Sequence, residues 1–377
     1  MSRLNEPLVF YGLRLRNRLV LPPITTNYCT SSGEVTDGVV GFYRQRSRDV
    51  GLVVAEAAAV RPDGRITPHS MGIWSDALIP GLKRLASAIK GEGAVAALQI
   101  GHAGASAVVV EDGLRRPSPS GVATRPGPAP TVLSEGQISE VVSDFASAAA
   151  RAAEAGFDAV EIHGAHLYLI SQFLSPLTNH RQDRYGGDAE ARATLAVEVV
   201  RAVRDRLGSG YPILFRFNAV ELIDGGQRIE DGVDVARLLE KAGVNLLHSS
   251  LAAQAVWKKD GEQCFLQSTS APLKDHPYAA ALPYAAEVKR SVSVPVIAVG
   301  KLGEPAAAAR AVEEGLVDLV AIGRQMIADP LTAGKILSGR GSEVVPCREC
   351  RACFASIGKG APMVCSVNQN PSGTPAY

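Results

Sequence analysis

The run EIHGAHLYLISQFLSPLTNHRQDRYGGDAEAR, Glu161 to Arg192, decides how this chain reads. It begins in a short apolar strand, Asp158 to Ile162, whose carboxyl end delivers His163, His166 and Tyr168 in quick succession. Isolated histidines are commonly packing residues with satisfied ring nitrogens. Two imidazoles and a phenol at one strand-to-loop junction instead suit a cup for a polarised oxygen or an anion, with an acid alongside.

Seven further strand-like runs flank this one: Leu19 to Thr25, Gly51 to Val60, Ala94 to Ile100, Ile213 to Asn218, Asn245 to Ser249, Val294 to Gly300 and Leu319 to Gly323. Most are short, continuously apolar and bounded by polar residues or glycine, as expected of strands covered on both faces. Helical patterns lie between many of them: Ala77 to Glu92, Ile138 to Ala155, Ala189 to Leu207, Ile229 to Ala242, Tyr278 to Ser291 and Pro305 to Glu314. Ser134 and Gln137 have capping-box spacing ahead of the second. Gly156, Gly243 and Gly315 follow three of them, where a left-handed cap is needed. The alternation predicts an α/β fold, a (β/α)8 TIM barrel. An open doubly wound sheet would need a glycine-rich turn after its first strand, and Leu19 to Thr30 contains no GxGxxG. The expected division is a barrel over 1–335 and a C-terminal four-cysteine segment over 336–377 packed on it. Two irregular stretches, Gly101 to Gly136 and Ser250 to His276, follow strands and are expected across the catalytic face.

Composition supports one large core. The 377 residues are 46% hydrophobic with only 5% aromatics, and the formal charge is +1. Such a balance creates no field favouring nucleic acid or a membrane surface. The start carries no apolar signal core, and no run of 18 apolar residues occurs. The expectation is a cytoplasmic protein acting on a small molecule, with a homo-oligomer left open. Six cysteines are too few for a disulfide scaffold at this length.

Barrel chemistry is read from strand ends. They offer Thr25, Ala57 and Ala58, Gln99, the His163–His166–Tyr168 group, Arg216, Gly300, and Gly323 with Arg324. Glycines after strands seven and eight, beside an arginine, suit a phosphate cradle built from backbone N–H groups and a helix start. Gln99 and Arg216 are polar groups near core ends of apolar strands and need partners. A flat heterocycle with carbonyls and ring nitrogens supplies them, so the set suits flavin mononucleotide under a substrate cup. Near the end stand Cys347, Cys350, Cys353 and Cys365, a C-x2-C-x2-C-x11-C spacing. Soft thiolates in that pattern select iron–sulfur or, as second choice, zinc; the alternative is four unrelated buried thiols.

The opening run, with LRNRLVLPPITT, EAAAVRPDGRI, GIWSD and ALQIGHAG, resembles the Old Yellow Enzyme family of flavin-dependent oxidoreductases over nearly the whole chain. The resemblance implies that Thr25, Ala57 or Ala58, Gln99 and Arg216 hold the flavin ring, and that Gly300, Gly323 and Arg324 hold its phosphate. It implies that His163 and His166 grip a carbonyl oxygen and that Tyr168 is the proton donor. The reaction implied is reduction of FMN by NADH or NADPH, then reduction of the C=C bond of an α,β-unsaturated carbonyl compound. Leu167 stands where glycine is common, and Ala105 where arginine is often found, so the pocket is expected to differ in shape. The cysteine segment resembles that following the flavin barrel in trimethylamine dehydrogenase and 2,4-dienoyl-CoA reductase, which implies a [4Fe–4S] cluster. Because the sequence stops at Tyr377, the further domains of those relatives are expected to be lacking. The cluster would then serve either an electron-transfer protein partner or structure alone. The alternative activity is an amine or N-methyl dehydrogenase sending electrons out through the cluster, although the scarcity of aromatics argues against an amine cage.

Overall fold

The computed structural model describes residues 2–108, 115–252, 254–260, 263–269 and 279–374. Eight parallel strands close on themselves: β1 Leu19–Leu21, β2 Leu52–Ala59, β3 Val95–Gly101, β4 Ala159–Gly164, β5 Ile213–Glu221, β6 Leu246–Ala252, β7 Val296–Val299 and β8 Leu319–Ala321. Each pairs with the next, and β8 pairs with β1. Principal helices follow them in turn: α1 Asp37–Ser47, α2 Ile79–Gly91, α3 Glu135–Glu154, α4 Thr194–Leu207, α5 Ile229–Ala242, α6 Leu282–Ser291, α7 Pro305–Glu313 and α8 Thr332–Leu337. The barrel part of the sequence reading is therefore correct.

Side chains alternate across a strand, so each strand serves two cores. The outward positions pack beneath the helices in the larger cluster. The inward ones, including Val54, Ala97, Ala159, Leu214 and Leu246, form a second cluster inside the barrel. An antiparallel hairpin, Leu8–Phe10 with Leu13–Leu15, contributes Phe10 and Leu15 to that inner cluster. Two residues further along four strands, the inward positions become Gln99, Glu161, Arg216 and His248, all buried. The barrel interior thus turns from apolar to polar within one layer, and the polar end is the carboxyl end.

Several boundaries differ from expectation for local reasons. β1 stops at Leu21 because Pro22 and Pro23 follow and cannot donate to a ladder. The pattern 189–207 is two helices, Ala189–Arg192 and α4, rather than one. Helix α1 escaped the sequence reading: its two glycines and its charged end blur the periodicity. Val39, Phe42 and Tyr43 pack it into the large core, and the buried Arg46 guanidinium donates to Met326 O and Pro371 O. The capping box of Ser134 and Gln137 forms as predicted.

The two irregular stretches carry structure of their own. In the first, Pro117–Ser118 pairs with Thr131–Val132, and buried Arg116 donates to Ala105 O and Pro128 O. In the second, Gln254–Asp260 and Gln263–Thr269 form an antiparallel hairpin. Its Leu266 is buried against Leu167 and donates its N–H to Ala123 O.

The tail leaves the barrel after α8 and returns across its mouth. Met363 N donates to Thr26 O, Tyr28 Oη donates to Met363 O, and Asn27 Nδ2 donates to Gly360 O and Ala361 O. The expected metal centre on Cys347, Cys350, Cys353 and Cys365 is overturned. Among the described residues, no group of three or more His, Cys, Asp or Glu side chains is arranged to hold a metal ion. Left-handed backbone at Glu349 and Arg351 turns the chain between the first three cysteines. Cys350 is exposed with Sγ 3.0 Å from Ser366 Oγ, while Cys365 Sγ accepts from the N–H groups of Val367 and Asn368. Cys353 packs against the large core, and Cys347 borders the central cavity. The iron–sulfur and zinc cofactors fall with this arrangement, as do the iron–sulfur likeness and the electron route through it. Among the described residues, no helix is long and apolar enough to cross a membrane.

Candidate active site

A cavity of about 420 Å³ opens at the carboxyl end of the barrel. That lies within the roughly 300–1,000 Å³ common for small-molecule and cofactor sites. Thr25, Ala57, Gln99, His163, His166, Tyr168, Arg216, Gly300, Gly323 and Arg324 all line it. Ala58 does not: it is buried in the ladder opposite Ile100, just past a register shift in β2. The tail supplies the facing wall, with Pro346, Cys347, Glu349, Cys353 and Met363 among its residues.

The turn leaving β4 is built to aim three rings. His166 and Leu167 take left-handed φ values of 64° and 55°, unusual for side chains with a Cβ. The turn persists because its backbone is pinned. Asn218 Oδ1 accepts from His166 N, Ser171 Oγ accepts from Leu167 N, and Gln172 Nε2 donates to Leu167 O at 2.6 Å. Tyr168 then caps the short helix Leu169–Leu174. The result is a mutually perpendicular set. His163 lies 5.1 Å from His166 and 5.0 Å from Tyr168, centroid to centroid, with planes at 86° and 85°.

Electrostatics fix the protonation of that set. Burial holds both histidines well below the usual imidazole range, and the Arg216 charge pushes them lower still. Both are therefore neutral near pH 7. His163 Nδ1 accepts the Ala165 N–H at 3.2 Å, so its own proton sits on Nε2. His166 Nε2 pairs with Ser250 Oγ at 2.9 Å. Burial raises the Tyr168 phenol to about 12, opposed by Arg125 and Arg216, so it stays protonated.

Arg216 stands between His163 on β4 and His248 on β6 in the ladder register. Burial lowers it to about 10, which still leaves a cation near neutrality. Among the described residues, its Nε is buried without a hydrogen-bond partner, and so is His248 Nε2. Beside it runs a chain the sequence reading missed: Gln99 Nε2 donates to Glu161 Oε2 at 2.6 Å, and Glu161 Oε1 pairs with His248 Nδ1 at 2.8 Å. The available signal was period two, because Glu161 lies two residues before His163 on the same inward face. A cation with an orphaned donor in a cavity wall calls for an electron-rich ligand with acceptor atoms, and a flavin ring fits that requirement.

At the other end of the cavity Gly300 has φ 127° and Gly323 begins the short helix Arg324–Ala328. The start of α7 is not open to an anion, contrary to the simplest cradle. The Glu304 carboxylate already accepts from Ala306 N and Ala307 N. Lys301 Nζ forms a 3.1 Å ion pair with Glu349 of the tail, both groups largely buried.

Fold and site together define the class, an FMN-binding (β/α)8 barrel. Residues 3–343 match the family model described as NADH:flavin oxidoreductase / NADH oxidase, and the chain belongs to that family. It is 37% identical to an NADH oxidase of Thermoanaerobacter brockii over 343 residues, covering 90% of this chain and 51% of that protein. It is 34% identical to an NADPH dehydrogenase of Halalkalibacterium halodurans, covering 87% and 92% respectively. Among solved structures, a 2-naphthoyl-CoA reductase complex superposes with a TM-score of 0.90 at 27% identity, over 98% of this chain and 57% of the other. Morphinone reductase superposes at 0.75 and 27%, over 90% of both chains. The chain spans about half the length of the first-named relative and of the reductase in the complex.

Proposed function

We propose that this chain is an FMN-dependent oxidoreductase that reduces the C=C bond of an α,β-unsaturated carbonyl compound, with NADH or NADPH as reductant. The observation that carries the reading is the perpendicular trio of two neutral imidazoles and a protonated phenol beside a buried arginine cation. Gly300, Gly323 and Arg324 would hold the phosphate. Thr25, Gln99, Arg216 and the Ala57 backbone would hold the ring, with Ala58 behind the wall. When bound, FMN supplies the hydride. His163 donates from Nε2–H to the substrate oxygen, and His166 steadies the same oxygen. Both donate without carrying charge of their own, so negative charge growing on that oxygen is stabilised by oriented dipoles and by Arg216. Tyr168 gives its proton to the α-carbon. Enones and enoyl thioesters present that oxygen and that carbon in the required order, and the 2-naphthoyl-CoA complex is a relative bound to an aromatic thioester.

The test separates the two half-reactions. Tyr168→Phe should leave flavin reduction by NAD(P)H unchanged and slow reoxidation by an enone roughly 10²–10⁴-fold, the usual size of lost general-acid catalysis. Equal loss in both half-reactions would remove Tyr168 from its role. A wild-type protein that takes up no FMN would end the reading altogether.

A further inference from the structure

We propose that Glu161, gripped by Gln99 and His248, is a positioning residue for the flavin ring: it fixes which way the Gln99 amide faces and sets a negative charge beneath the site. The inference rests on the flavin reading and adds to it a residue that touches neither cofactor nor substrate.

The geometry forces the assignment. Glu161 is fully buried on β4 and faces into the barrel, one layer below His163. An ionised carboxylate can only accept, so Gln99 must present Nε2 to it across 2.6 Å. The Gln99 carbonyl oxygen is thereby left for the cavity that Gln99 lines. The same logic fixes the second partner. His248 Nδ1 lies 2.8 Å from the other carboxylate oxygen and must carry its proton there. That makes His248 Nε2 the lone-pair nitrogen, and among the described residues it is one of the buried atoms without a partner. His248 in turn sits beside Arg216 in the β5–β6 register. The Glu161 charge therefore opposes the Arg216 charge within the layer beneath the ring. Reduction adds electron density to a flavin, and a fixed carboxylate disfavours that addition.

Two isolated changes test the two halves of the proposal on FMN-loaded protein. Glu161→Gln keeps shape and removes charge, and His248 can satisfy it by moving its proton to Nε2. The flavin midpoint potential, measured by anaerobic dye equilibration, should move to a more positive value. Glu161→Asp keeps charge and withdraws reach, releasing Gln99. FMN should then bind roughly tenfold more weakly by fluorescence titration onto apoprotein, the size of one hydrogen bond, with the potential near wild type. A purely structural Glu161 would lower thermal stability in both variants and move neither potential nor affinity, and that result overturns the proposal. Failure of the wild-type apoprotein to bind FMN overturns this proposal and the flavin reading together. Normal wild-type binding with an unmoved Glu161→Gln potential overturns this proposal alone.

Discussion

Glu56 couples the uptake of a proton to folding near neutral pH. It is fully buried, and its carboxyl accepts from Thr26 Oγ1 at 2.6 Å and from Thr26 N at 2.9 Å. Its own backbone N–H donates to Tyr43 Oη. Burial raises the acid from 4.5 to about 7 despite the Thr26 hydrogen bonds. The folded state therefore holds a proton that the unfolded state has released. Stability from this group is fully present below about pH 4.5 and is lost as pH rises through about 7. At roughly 1.4 kcal/mol per pKa unit, the whole loss is about 3 kcal/mol. About 2 kcal/mol of it falls between pH ~5.5 and ~8.5. Glu56→Gln imitates the protonated acid, since its amide can donate to Thr26 Oγ1 and accept from Thr26 N. Urea unfolding of both proteins across that window should show the variant gaining about 2 kcal/mol on wild type as pH rises. Taking the difference cancels other titrating groups, including buried Glu221, which is also raised by burial. Parallel stability curves would refute the reasoning, because they would mean that Glu56 does not change its proton between folded and unfolded states.

Other consequences follow from the same contacts. His163 and His166 ionise well below the ordinary imidazole range, so enone reduction should show no inflection near pH 6.5; a rate that halves there on acidification would contradict their neutral assignment. Leu167→Ala should cost about 2–5 kcal/mol, because this left-handed residue is buried against Leu266. Leu167→Gly should be the more stable of the two by about 1 kcal/mol as backbone strain is released, and calorimetry that ranks them the other way would deny the strain. Gly232→Ala should destabilise by about 3 kcal/mol, since an added Cβ would stand 2.1 Å from Ala219 O where α5 crosses β5; an unchanged melting temperature would refute that close approach.

The sequence by itself determined the barrel and the strand ends that would face its mouth. Both depend on short-range patterns: continuous apolar runs for strands covered on two sides, capping residues for the helices between, and dense polar groups after β4. Residues from Thr25 to Arg324 could be placed around one cavity because a closed parallel barrel brings every strand's carboxyl end to the same rim. What the chain does between elements was not legible. The Glu161–His248 pair joins residues 87 apart, and neither stands out until β4 and β6 are set in register on either side of β5. Helix α1 was hidden because its buried face, Val39, Phe42, Tyr43, Arg46 and Ser47, includes an arginine and a serine whose burial depends on tertiary contacts such as Arg46 to Met326 O and Pro371 O. The cysteine spacing at 347–365 suggested a metal centre, yet spacing states only how far thiols can reach. The turns at Glu349 and Arg351 and the bonds that dock the tail on Thr26, Asn27 and Tyr28 decide where the thiols point. Local sequence sets which elements form, since their hydrogen bonds and apolar periods are local. Convergence of side chains on a point is a property of the closed barrel, and only tertiary structure decides it.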